Sequence, residues 1–171
     1  MPADHAFAVR PGTASDIEEA LTVLSTADAW RSGRPPGGEA SRDRARRRLT
    51  GADAFFYVAH GIEGEVIGLA AGMSGRQGGG TGPVIAGLCH ISMVSVRPGH
   101  WGRGVGRKLV QALLSHGCDH GYDRFQLFTH ADNVRARRLY ESLGFTTTGQ
   151  AGVSDEGEDI VHYLWLPRQL R

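Results

Sequence analysis

No apolar run in this 171-residue chain approaches the roughly 18 residues that a membrane-crossing helix needs. A membrane partner is therefore not expected. The first residues, including Asp4 and His5, contain no long apolar stretch and do not read as a signal peptide. Cysteine is scarce. Cys89 and Cys118 are the only two, and neither stands at metal-ligand spacing from a partner. Both sit in apolar surroundings, so buried thiols in a reducing, cytoplasmic setting are expected, with no bound metal. Excess charge of one sign is missing too. A formal net charge of +1 gives the chain no overall electrostatic hold on nucleic acid. No internal repeat is apparent, and the length suits a single domain, 1–171, with a full core.

Glycine, by contrast, is concentrated where it carries meaning. Val94-Ser95-Val96 reads as a β-branched strand, Pro98 as a turn, and Trp101-Gly102-Arg103-Gly104-Val105-Gly106 as a glycine-rich bend opening into an amphipathic helix. Gly102, Gly104 and Gly106 remove side chains where the backbone turns. Main-chain N–H groups and the positive end of the helix dipole can then meet an anion. Arg103, Arg107 and Lys108 add full charges, so a phosphorylated ligand is the expected tenant. Two nucleotide motifs fail at the same residue. A P-loop needs its second glycine where Arg107 stands, followed by Lys108 and then Ser or Thr in place of Leu109. A dinucleotide fingerprint also needs its third glycine at Arg107.

The elements around this bend follow from pattern. Ala6–Arg10 is a candidate strand. Thr13 or Ser15 can cap a helix whose buried stripe is Ile17, Ala20, Leu21 and Leu24. Glu39–Leu49 reads as a second helix rich in arginine (Arg42, Arg44, Arg46, Arg47, Arg48), taken first as a solvated basic face. Strands are expected over 55–60 and 65–73, joined by the turn at Gly61–Gly64. Five glycines between Gly75 and Gly82 mark a mobile connection. Leu88–Val96 is the next strand and Gly104–Gly117 the helix after it, with Leu109, Leu113 and Leu114 inward. A strand over 124–129, a helix over 133–143 ended by Gly144, and strands over 145–149 and 160–166 complete the order β-α-α-β-β-β-α-β-α-β-β.

The strand and bend resemble the acyl-CoA-binding motif of the GNAT (GCN5-related N-acetyltransferase) superfamily, with Trp101 standing where that family has Arg or Gln. A second segment agrees. Ala131-Asp-Asn133-Val-Arg-Ala136-Arg-Arg-Leu139-Tyr140-Glu-Ser-Leu143-Gly144-Phe145 resembles the family's Asn-x-x-Ala-x-x-Leu-Tyr-x-x-x-Gly-Phe, with no departure at the named positions. The element order is also that of the family. The resemblance implies an α+β (mixed α/β) GNAT fold: a mixed, mostly antiparallel twisted sheet with a splayed parallel pair, flanked by helices. It implies acetyl-CoA as co-substrate and transfer of its acetyl group to a primary amine in a ternary complex. The acceptor is expected to be a small molecule. Acetylation of a peptide or protein amine is the alternative, and a non-catalytic acyl-CoA-binding protein is the rival from another class. Homodimers are common in the family.

Carried over residue by residue, the resemblance places CoA against Val94, Ser95, Val96, Trp101, Gly102, Arg103, Gly104, Val105, Gly106, Arg107, Asn133, Ala136 and Tyr140. It makes Tyr140 the acid that protonates the leaving thiolate, while Asn133 also suits a helix cap. Members often place a Glu on the Val-x-Val strand, six residues before its second valine; here that residue is His90. A neutral imidazole can accept an amine proton near physiological pH, which makes His90 the candidate base. Glu65, His60 and His130 are weaker candidates, and His130 is expected to line the acceptor pocket. The acidic turn Asp155–Asp159 is read as solvated.

Overall fold

A computed structural model describes residues 6–167, so Asp4 and His5 lie outside the described residues. The elements follow the expected order: β1 (Ala8–Pro11), α1 (Ile17–Ser32), α2 (Glu39–Thr50), β2 (Phe55–His60), β3 (Val66–Arg76), β4 (Val84–Val96), α3 (Val105–Asp119), β5 (Arg124–His130), α4 (Val134–Ser142), β6 (Thr146–Val153) and β7 (Asp159–Trp165). The strands form a seven-stranded mixed sheet in the order β1-β2-β3-β4-β5-β7-β6. The β4–β5 pair is parallel, and its registered pairs stop at His90↔Gln126 although β4 continues to Val96 and β5 to His130. This is the splayed pair the sequence resemblance implies. The chain divides into two compact units, and β3, β4 and α3 each contribute to both.

The first unit comprises the chain up to Met73 together with Ser92–Ser115. Its β1, β2 and β3 pair antiparallel in sequence order. Its core joins Ala20, Leu21 and Val23 of α1 to Ala45 and Leu49 of α2 and to Val58, Leu69 and Ala71 of the strands. Ile17 and Leu24 pack at its edge, so the helical periodicity marks the buried stripe of α1. The arginine-rich face of α2 is partly engaged. Arg42 and Arg46 both donate to the Glu18 carboxylate on α1, at 3.0 and 2.8 Å. Arg44, Arg47 and Arg48 are exposed.

The second unit comprises Ser74–Ile91 and the chain from His116. Phe125, Leu127 and Thr129 alternate inward along β5, while Phe128, between them, is 40% exposed on the other face. An aromatic cluster joins β5, α4 and β7. Phe125 meets Trp165 edge-on at 5.4 Å, and Tyr140 meets Phe145 at 5.7 Å. Gly117 is required here, because a Cβ would come within 2.5 Å of the Phe125 ring.

Two expectations change. The glycine-rich connection is shorter than its composition implies: β3 reaches Arg76, β4 starts at Val84, and Gln77 and Gly82 close the tip with main-chain hydrogen bonds. Cys118 is exposed near the end of α3 rather than buried, whereas Cys89 is buried as expected. Cys118 lies one turn past Leu114, in the last turn of α3, among the polar His116, Asp119 and His120.

The entry to α1 is fixed by a carboxylate. Asp16 is 7% exposed and accepts two bonds from the Arg10 guanidinium, at 2.7 and 2.9 Å, and one from the Thr13 N–H at 2.8 Å. The Arg10 hydrogen bond, reinforced by Thr13, holds its pKa well below the usual carboxylate range. Because the folded-state pKa is depressed, the contribution is full above the unfolded value of about 4 and fades as pH falls towards the folded one. Asp16→Asn is expected to cost about 1–2 kcal/mol in urea denaturation at pH 7, screening at the half-exposed Arg10 included. The difference from the parent should shrink by pH 3.

Candidate active site

The glycine bend lies in the first unit and is assembled from its strand end onward. The Arg97 N–H donates to the Ile67 carbonyl at 2.8 Å and its Nε to the Val66 carbonyl at 2.9 Å, which pins the end of β4 to β3. A short 3-10 turn, Pro98–His100, follows. The Trp101 indole N–H then donates back to the Val96 carbonyl at 2.8 Å. Trp101 therefore braces the turn across its mouth.

Gly102 and Gly104 both adopt left-handed backbone, with φ of 76° and 81°. A Cβ on either would meet open space, so glycine supplies conformation here and not room. The first helical bond of α3 runs from the Lys108 N–H to the Gly104 carbonyl at 3.1 Å. The N–H groups of Val105, Gly106 and Arg107 thus belong to the first turn, where a helix has no carbonyl of its own to offer them. No acidic residue stands in that turn. On the other side Gly68 lets α3 approach β3: a Cβ there would lie 3.0–3.2 Å from Leu109, Val105 and the Ser95 carbonyl.

The side chains around the bend are basic. Arg103 and Arg107 are exposed, and Arg103 borders a cavity of about 160 Å³ with Phe7, Glu65 and His100. The Lys108 ammonium lies 4.9 Å from the Phe7 ring centre, a cation–π distance. Open backbone, first-turn N–H groups and two exposed guanidiniums fit the pyrophosphate of CoA. Val94, Ser95 and Val96 are half-buried at the end of β4, and Val105 is buried.

The remaining candidates lie in the second unit. Asn133 caps α4, its Oδ1 accepting from the Ala136 N–H at 3.2 Å, and Gly144 ends that helix region with φ of 97°. Tyr140 is 6% exposed on α4, and burial pushes its phenol well above the ordinary range. The group is therefore a protonated donor throughout the physiological range. His90 is half-buried on β4, its ring tilted against Phe128 at 6.2 Å.

Other imidazoles differ by their partners. His162 is 8% exposed with Nδ1 2.7 Å from the Thr148 hydroxyl and Nε2 2.9 Å from Gln126 Oε1. Burial lowers its pKa. His130, ending β5, has Nδ1 2.8 Å from Glu158 Oε2. Sequence reasoning marks His130 but not Glu158, because only the β5–β7 register brings the two together. Glu65 and His60 occupy the β2–β3 turn of the first unit, where Glu65 accepts the Glu63 N–H at 3.0 Å and His60 lies 3.3 Å from the Gly61 carbonyl. Among the described residues no group of three or more His, Cys, Asp or Glu could hold a metal ion.

The mixed sheet with its parallel β4–β5 pair and the glycine-opened start of α3 define the class of fold. The chain matches the profile of the acetyltransferase (GNAT) family over residues 24–145, and it belongs to that family. The mycothiol acetyltransferase of Beutenbergia cavernae is 45% identical over 56 residues, a match that takes in 33% of this chain and 19% of that protein. This chain thus matches only about a fifth of that relative's length. Among solved structures, a GCN5-related N-acetyltransferase from Kribbella flavida superposes with a TM-score of 0.72 at 23% identity, covering 95% of this chain and 98% of the other. An N-acetyltransferase from Thermoplasma acidophilum in complex with coenzyme A superposes at 0.65 with 15% identity, covering 94% and 99%. Both structural likenesses concern the fold.

The geometry of the bend yields a stability prediction. Gly104→Ala should cost about 1 kcal/mol in chemical denaturation, the strain of a left-handed alanine, because no clash awaits the new methyl group. Gly99→Ala, at a position without positive φ or close neighbours, should cost clearly less.

Proposed function

We propose that this chain transfers the acetyl group of acetyl-CoA to the primary amine of a small molecule, by direct attack in a ternary complex. The observation that carries this reading is the β4–α3 bend, with left-handed Gly102 and Gly104, first-turn N–H groups and flanking Arg103 and Arg107. In this reading the main chain from Gly102 to Arg107 holds the pyrophosphate. Val94, Ser95 and Val96 receive the pantetheine arm through backbone groups, and Trp101 keeps the bend closed. The sequence resemblance assigns Asn133 and Ala136 to acetyl-CoA as well. When bound, acetyl-CoA supplies an acyl group already activated as a thioester, so no covalent enzyme intermediate is needed. The family match runs through both compact units, which supports treating 1–171 as one acetyltransferase domain. Among the described residues no helix is long and apolar enough to cross a membrane.

Two side chains carry the proton transfers of the acyl-transfer step itself. His90 accepts the proton that the acceptor nitrogen loses as the amide forms. Tyr140 donates its phenolic proton to the departing thiolate; burial keeps that proton in place at neutral pH. Free-thiol release from acetyl-CoA, measured over a panel of primary amines and a peptide with a free N-terminus, tests the reading. The small amines should release thiol fastest. Tyr140→Phe should lower kcat about 10²-fold and leave KM for acetyl-CoA within about twofold. An unchanged kcat would reduce Tyr140 to its packing against Phe145. No thiol release with any amine would remove the enzymatic reading itself.

A further inference from the structure

Acetylation of a primary ammonium removes two protons from one nitrogen. One must leave before attack, to expose the lone pair, and one as the amide forms. His90 accounts for the second. We infer that His130, oriented by Glu158, takes the first, so that the second unit carries a separate carboxylate–imidazole dyad for deprotonating the incoming acceptor. The inference rests on the acetyl-transfer reading above and adds the class of acceptor it serves: alkyl ammonium ions that reach the enzyme charged.

Both members of the dyad stand on backbone fixed by main-chain bonds. His130 pairs with Ile160 in the antiparallel β5–β7 ladder, and its carbonyl accepts the Asn133 N–H at 3.0 Å. The following Ala131 N–H donates to the Asp159 carbonyl at 2.9 Å. Glu158 is held from the turn side: its N–H donates to Ser154 Oγ at 3.1 Å, and its carbonyl accepts the Ser154 N–H at 2.7 Å. The two side chains are 22% and 25% exposed. Nδ1 of His130 is shut away from solvent, and Glu158 Oε2 lies 2.8 Å from it, off the straight hydrogen-bond direction but well within ion-pair distance. Nε2 has no hydrogen-bond partner among the described residues. A proton arriving at Nε2 therefore creates an imidazolium whose charge faces a carboxylate already in place.

His162 shows why the partner pattern matters. Both of its nitrogens are within hydrogen-bond distance of Thr148 and Gln126, so it has no lone pair to offer a substrate. Its ring packs 4.8 Å from Phe128, whose exposed ring shares the sheet face of His130 by the two-residue alternation of β5. An apolar ring and a carboxylate-backed imidazole along one face suit the alkyl part and the ammonium of one acceptor.

The step balances simply. An N–H bond of R–NH₃⁺ breaks, its electron pair stays on nitrogen as the attacking lone pair, and the proton joins Nε2. His130 then returns that proton to solvent. Over the whole reaction the ammonium loses two protons; one is matched by the thiol that Tyr140 completes and one is released.

The test compares ethylamine, an ammonium ion at neutral pH, with 2,2,2-trifluoroethylamine, which is largely neutral there, as acceptors in thiol-release assays. With ethylamine, His130→Ala should lower kcat/KM about 100-fold and Glu158→Gln about 10-fold. With trifluoroethylamine both losses should stay within about threefold, because the proton His130 removes is already gone. Imidazole added to the buffer should restore part of the ethylamine activity of His130→Ala, which a merely structural role would not allow. His130→Gln, which keeps the size of the side chain, should behave as His130→Ala does. Equal losses with both acceptors, or wild-type rates in the variants, would overturn the inference and leave acetyl transfer standing. Absence of thiol release by the wild-type enzyme with both amines would overturn the small-amine reading and the dyad with it.

Discussion

The handover from β4 to α3 is the constraint on which the rest depends. Between Val96 and Val105 the chain must leave a strand, turn and enter a helix whose first N–H groups stay open to an anion. Two left-handed residues make that turn, and only glycine adopts the conformation without strain. Everything adjacent serves it. Arg97 ties the strand end to β3, the Trp101 indole closes the turn on the Val96 carbonyl, and Gly68 lets α3 settle against β3. An alanine at position 68 would push the helix by several tenths of an ångström and move the same N–H groups.

Once the bend is fixed, differences among otherwise similar side chains decide the chemistry. Three imidazoles of the second unit illustrate it. His162 is buried with polar neighbours at both nitrogens, and its role is to hold β7 to β5 and β6. His130 presents one nitrogen to a carboxylate and leaves the other without a partner among the described residues. His90 sits beside the Phe128 ring on the strand whose end meets the bend. Tyr140 gains its proton-holding character from burial alone, since no charged neighbour contributes to the shift.

Much of this is legible in the sequence, for identifiable reasons. β2 is read to the residue because Phe55–His60 is a short β-branched and aromatic run bounded by turn residues. The stripe of Leu109, Leu113 and Leu114 reads the inner face of α3, and Asn133 and Gly144 read the two ends of α4, where caps are local chemistry. The tip between β3 and β4 is shorter than its composition implies, because the hydrogen bonds of Gln77 and Gly82 that close it are set by strand pairing, which composition does not report. Cys118 is misread because the apolar stripe of α3 stops at Leu114, while His116, Asp119 and His120 around it in sequence are polar. Glu158 is invisible as a partner of His130. A register between distant strands joins them, and no local pattern encodes it.

The most direct test of the central claim is calorimetric titration of acetyl-CoA into the protein and into Gly102→Val, a β-branched residue poorly suited to φ of 76°. Saturable binding by the wild type, with Kd on the order of tens of micromolar or tighter, is the predicted result. The variant should keep its helical circular dichroism and bind at least about tenfold more weakly. Equal affinity in the two proteins, or no binding by the wild type, would contradict the claim that this bend holds the acyl donor.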